Sequence, residues 1–217
     1  MINADRNRFI KQHVELYGEE LFLDSITKKS KKLSKADLLK NLSSKVDIDL
    51  GFDKKNINSK VVFGSGDPNA DLLIVGESPS DYDVEYNKPF LGNSGKLLDK
   101  ILNAIGYSRS TNVYFTYLIK FKIDGFRYPL NSEINKFIPL LEKQIEIIEP
   151  KMIVGLGKVV GRSLINKNLS MDLLRNKVHS FSSCPLKITY SPDILLQDQS
   201  LKKLAWEDFQ FIRDFVK

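Results

Sequence analysis

The sequence predicts an α/β fold: a three-layer sandwich whose central, mostly parallel sheet is flanked by helices. Two observations predict it. From Val61 onward, short apolar runs of strand length alternate with amphipathic stretches of helical length. Such alternation gives a parallel sheet covered on both faces. The chain of 217 residues is also long enough for one full domain of this kind and too short for two.

In chain order, Arg6 to Tyr17 places Phe9, Ile10, Val14, Leu16 and Tyr17 at the spacing of an amphipathic helix. A basic cluster, Lys28, Lys29, Lys31 and Lys32, then opens a Lys- and Ser-rich stretch to Lys45, with Leu33, Leu38, Leu39 and Leu42 at helical spacing. It reads as a solvated face or linker rather than a DNA-binding arm. Asp47 to Ser59 is polar and irregular. Residues 1–59 thus form a helical, Lys-rich extension expected to pack on the core, and residues 60–217 form the α/β domain. Within that domain, strands are expected at Leu72–Val75, Val113–Leu118, Met152–Leu156 and Lys187–Tyr190. Helices are expected at Ser94–Ile105, Ser132–Ile148, Lys158–Leu164 and Leu201–Val216. Ser132-Glu133 starts one of them and Pro150 punctuates its end.

Composition narrows the function classes. Hydrophobic residues at 42% and charged residues at 28% are ordinary globular usage, which argues against general disorder. Apolar runs are too short for a transmembrane helix, and the N-terminus has no apolar signal core, so the expected place is the cytoplasm. One cysteine, Cys184, rules out an internal disulfide or a cysteine-built metal site. A net charge of +6 is compatible with a polyanion without specifying one. His13 and His179 have no second ligand at metal spacing. Gly155, Gly157 and Gly161 are spaced one residue too long for a dinucleotide fingerprint, and read as a tight strand-to-helix turn.

The segment Val61 to Leu98 concentrates the chemistry. The run Leu72-Leu73-Ile74-Val75 stops at Gly76-Glu77-Ser78-Pro79-Ser80, and an acidic, aromatic loop closes on Lys88-Pro89-Phe90-Leu91-Gly92. Ligands of open α/β sheets bind at the carboxyl ends of strands. A carboxylate and an aromatic ring converge there.

From Val61 to Lys217 the sequence resembles the uracil-DNA glycosylase superfamily, most nearly its family 4 branch. Gly76-Glu77-Ser78-Pro79-Ser80 is similar to the first active-site motif, G-E-[GA]-P-G, and Lys88 to Gly92 to the R-P-F-V-G that follows it. Val113 to Lys120 resembles V-Y-I-T-N-V-V-K, Pro150 to Gly157 resembles P-K-V-I-V-A-L-G, and Thr189-Tyr190-Ser191-Pro192 resembles the second motif, T-Y-H-P. Leu201 to Asp208 is similar to the closing helix.

The resemblance implies a monomeric enzyme that extrudes a uracil or other deaminated base from DNA and hydrolyses its N-glycosidic bond. Glu77, Ser78, Phe90 and Tyr117 would bind the base, with Phe90 as the stacking ring. Glu77 and Asp83 are the candidates to assist the attacking water. Leu195 or Leu196, after Pro192, would wedge into the minor groove. Ser94, Lys158 and Lys202 or Lys203 would hold phosphates.

The sequence departs from the pattern in three ways. Family 4 holds an iron–sulfur cluster on four cysteines, and their positions fall near Asp49, Phe52, Phe121 and Phe137 here, so no cluster is expected. Ser191 replaces the histidine that donates to the departing base, and such a donor is worth on the order of 100-fold in rate. Tyr117 replaces the asparagine that reads the base edge, and a phenol lacks the paired donor and acceptor of a carboxamide. Two readings follow: a glycosylase, or a weak or inactive relative that binds DNA, a modified base or a protein.

Overall fold

The computed structural model describes residues 33–49, 60–123, 125, 127–165 and 167–217. The chain divides into two compact units, Met1–Ser34 and Lys35–Lys217. The helix expected at Arg6–Tyr17, the basic cluster Lys28–Lys32 and Phe52 lie outside the described residues.

Six strands form one sheet: β1 (Ser65–Gly66), β2 (Leu72–Gly76), β3 (Val113–Tyr117), β4 (Met152–Leu156), β5 (His179–Phe181) and β6 (Cys184–Thr189), in the order β1-β3-β2-β4-β6-β5. The inner four run parallel, and β1 and β5 pair antiparallel at the edges. Register pairs Leu72 with Val113 and Met152, and Leu156 with Thr189. The four expected strands are the inner four, with β6 starting earlier than expected. Its hairpin with β5 turns on Ser182 and Ser183, both left-handed (φ 49° and 62°).

Successive side chains of β2 face opposite layers. Leu72 and Ile74 join one core with α3 (Gly92–Ala104) and α8 (Lys202–Val216). Leu73 and Val75 join the other with α4 (Asn131–Ile148) and α5 (Lys158–Ile165). Helix α1 (Lys35–Asp49) adds Leu39 and Val46 to that second core, and Lys35 Nζ donates to the Ile148 carbonyl at 2.8 Å. It runs past the expected end at Lys45. The described residues also hold three short α-helices, α2 (Asp81–Tyr86), α6 (Met171–Arg175) and α7 (Pro192–Gln197), and a 3₁₀ turn at Gln199–Leu201. No described helix is long and apolar enough to cross a membrane.

Two buried polar networks fix the strand ends that carry the motifs. After β3, the fully buried Lys120 donates to Thr116 Oγ1 and Gln144 Oε1, and both of those residues bond the Phe63 carbonyl at 3.0 Å. Burial drives the Lys120 amine well below its ordinary pKa. At the end of β6, Asp208 Oδ2 accepts from Thr189 Oγ1 and Arg175 Nε, each at 2.7 Å, while Lys187 Nζ lies 3.4 Å from Oδ1. Helix α8 is thereby tied to the strand that delivers Ser191.

Candidate active site

A cleft of about 920 Å³ opens at the carboxyl ends of the parallel strands. Its floor is Gly76, Phe90 and Tyr117. Glu77 and Ser78 after β2, Gly157 and Lys158 at the start of α5, and Ser191 to Asp193 at the start of α7 form its walls. Tyr82 and Tyr128 stand at its rim, 60% and 75% exposed.

The floor is tightly built. The Phe90 and Tyr117 rings stack at 4.8 Å with 29° between their planes, and Phe115 packs tilted against Phe90 at 5.8 Å. Gly76 is required beneath them, because a Cβ there would lie 2.6 Å from Phe90 Cζ and 2.8 Å from the Tyr117 ring. The Tyr117 hydroxyl donates to Asp83 Oδ2 (2.9 Å) and accepts from the Phe90 amide (2.8 Å). It therefore has no pair of groups to offer a base edge. Burial, reinforced by the Asp83 charge, pushes its pKa up.

Asp83, expected as one of two water-assisting acids, is occupied elsewhere. It is buried and accepts from the Ser80 amide (2.8 Å), Ser80 Oγ (2.7 Å) and the Leu91 amide (2.7 Å) as well as from Tyr117. Ser80 and Asp83 make a reciprocal capping box that starts α2. Asp83 is a brace between α2 and the Phe90 loop.

Phe90 itself is left-handed (φ 56°), a conformation worth roughly 1–3 kcal/mol of strain that its surroundings must offset. Arg109 supplies the clamp. Its Nη1 donates to the Pro89 carbonyl at 2.8 Å, Nη2 to the Phe90 carbonyl, and Nε to Asp99 Oδ1 at 2.7 Å. The guanidinium also covers the Phe115 ring at 4.7 Å. Gly95 admits the Phe90 carbonyl, since a Cβ there would sit 1.7 Å from it.

Glu77 has the contrasting environment. It is half-buried and lines the cleft; its backbone carbonyl accepts from the Ile119 amide at 2.9 Å, but its carboxylate receives no hydrogen bond from a described residue. Burial first, and the nearby Asp193 charge second, raise its carboxyl pKa. Ser191 stands against the Gly157 turn and precedes α7 without using its hydroxyl as a cap. Lys158 is exposed on the wall, and Arg162, one turn further along α5, lines the cleft while its Nε donates to the Leu169 carbonyl (2.9 Å).

The profile of the uracil DNA glycosylase superfamily matches residues 63–210. The chain belongs to the uracil-DNA glycosylase superfamily. It is 32% identical over 166 residues to the type-4 uracil-DNA glycosylase of Sulfurisphaera tokodaii, covering 73% of this chain and 76% of that one. Against the type-4 enzyme of Saccharolobus solfataricus it is 33% identical over 160 residues, covering 70% and 74%. It is also 28% identical over 160 residues to a DNA polymerase of Bacillus phage SP01, covering 74% of this chain and 17% of that protein.

Within the superfamily site, several expected positions fall differently. Ser94 Oγ donates to Asp193 Oδ1, so it ties α3 to α7 instead of standing free for a phosphate. The segment after Ser191 is a helix, with Pro192 at its first turn and buried. Leu195 is 1% exposed and packs inward, which removes it as a wedge, whereas Leu196 is 44% exposed. Lys202 is exposed but does not line the cleft.

The residues at two iron–sulfur positions, Phe121 and Phe137, pack ring to ring at 5.7 Å. A cluster needs thiolates. The sequence's one thiol, Cys184, is buried against the Pro150 carbonyl, and burial pushes its pKa up to about 11. This donor set does not fit the cluster.

Sequence reasoning missed Arg109, Asp193, Tyr82 and Tyr128. Asp193 had a local signal, an acid directly after a helix-starting proline. Arg109 had none, because its partners Pro89 and Phe90 are remote in sequence.

Proposed function

We propose that this protein is a DNA N-glycosylase that hydrolyses the bond between deoxyribose and an extruded uracil or other deaminated base, leaving an abasic site in base excision repair. The observation that carries this reading is Glu77, a half-buried cleft carboxylate without a hydrogen-bond donor among the described residues, whose pKa is raised by burial and by the Asp193 charge. A general base works best when its pKa approaches the working pH. Glu77 accepts a proton from a water that attacks the sugar carbon, while the bond to the base breaks and its electrons leave with the base. Ser191 donates a hydrogen bond to the departing base as charge builds on it. A neutral, short donor there implies a slow enzyme, on the order of 100-fold below one with a strong electrostatic donor.

Lys158 and Arg162 meet phosphates at the rim. Leu196 is the exposed side chain suited to wedge between base steps. The protein acts as a cytoplasmic monomer with DNA as its partner and without an iron–sulfur cluster. Ser191 and Tyr117 together favour a second reading, a relative that binds an extruded base with little turnover.

The test is a panel of single- and double-stranded oligonucleotides carrying uracil, hypoxanthine or xanthine, treated with alkali after incubation. Strand scission at the modified position in at least one substrate is expected. DNA binding with no scission in any substrate leaves the second reading.

A further inference from the structure

We propose that Tyr117 is the specificity-determining floor of the cleft: its ring occupies the stacking face of Phe90, so a base enters only above that pair. This rests on the glycosylase reading for the identity of the ligand, but the closure itself is a matter of packing. The two rings stack at 4.8 Å. Phe90 is 8% exposed and Tyr117 3%, so the pair offers almost no free aromatic surface to the cleft.

The closed position is enforced. Asp83 and the Phe90 amide hold the Tyr117 hydroxyl from two directions, at 2.9 and 2.8 Å. Gly76 backs the pair at a distance that leaves no room for a Cβ. Asp83 is in turn fixed by Ser80 and Leu91, and the Phe90 carbonyl by Arg109. A swing of the whole Tyr117 side chain out of this position would break two buried hydrogen bonds, and leaving such groups unpaired is costly. An arriving pyrimidine therefore meets a preorganised aromatic plug. It sits instead against Glu77 and Ser191, held by its edges.

Removal of the ring should uncover Phe90 and create a slot about one aromatic ring deep. One base–aromatic stack is worth roughly tenfold or more in affinity. The experiment titrates free uracil into wild-type protein and the Tyr117→Ala, Tyr117→Asn and Tyr117→Phe variants, each checked for a cooperative melt. Calorimetry reads affinity, and magnetisation transfer from Phe90 ring protons to uracil reads contact.

The expected result is at least a tenfold gain in uracil affinity for the alanine or asparagine variant, with Phe90–uracil contact. Tyr117→Phe, which keeps the ring, should show neither. Equal affinity in wild type and a folded opened variant would overturn the proposal. Phe90–uracil contact in the wild-type protein would overturn it alone, even if no opened variant folds. Because the readout is the free base, failure of wild type to cleave any DNA affects only the glycosylase reading. Failure of opened variants to gain uracil, with wild type cleaving DNA, affects only the role of Tyr117.

Discussion

Glu77 and Asp83 are carboxylates of one loop-and-helix segment, and the fold gives them opposite surroundings. Asp83 accepts four hydrogen bonds, two from Ser80 and one each from Leu91 and Tyr117. Glu77 is desolvated beside Asp193 without a compensating donor among the described residues, so its folded pKa lies above the ordinary glutamate value of 4.5. Between those two values the unfolded chain has released its proton while the folded chain retains it. Stability therefore falls as pH rises through that window, and is fully present only below it. Glu77→Gln should raise Tm at neutral pH and leave it unchanged in acid below the glutamate range. A Glu77→Gln effect on Tm that is independent of pH would contradict the assignment. The sequence alone could nominate both acids but not rank them, because ranking depends on Tyr117 and Leu91, which the fold brings to Asp83 from elsewhere in the chain.

At the scale of elements, the Lys88–Gly92 loop is held by three parts of the chain: the α2 capping box, Tyr117 at the end of β3, and Arg109 after α3. Arg109→Ala leaves the Pro89 and Phe90 carbonyls without their donor, which should cost about 1–3 kcal/mol in urea unfolding. Arg109→Lys should not restore it, because an ammonium cannot fork to two carbonyls and Asp99 while covering Phe115. A lysine variant with wild-type stability would show that the fork is dispensable. The sequence carries two helix-start patterns that sequence reasoning missed, Ser80 followed three residues later by Asp83 and Pro192 at a helix first turn. The short helix α7 still reads as a loop, because only Pro192 and Leu195 of its six residues are buried.

Across the whole molecule, β2, β3 and β4 were legible because they are buried on both faces and appear as largely apolar runs. The β5–β6 hairpin was hidden. Its turn uses Ser182-Ser183 in a left-handed conformation that asparagine and glycine usually signal. The replacement of cluster positions by the Phe121–Phe137 pair was legible as composition, while its packing came only with the structure.

In the proposed mechanism the cleft carboxylate of Glu77 drives release of an extruded base. The direct measurement is single-turnover release of free base from a deaminated oligonucleotide, comparing wild type with Glu77→Gln at matched DNA occupancy. Release by wild type and a rate lower by about 100-fold or more in the variant, with DNA affinity retained, is the predicted result. Release at the wild-type rate by Glu77→Gln, or no release by wild type from any bound oligonucleotide, would contradict it.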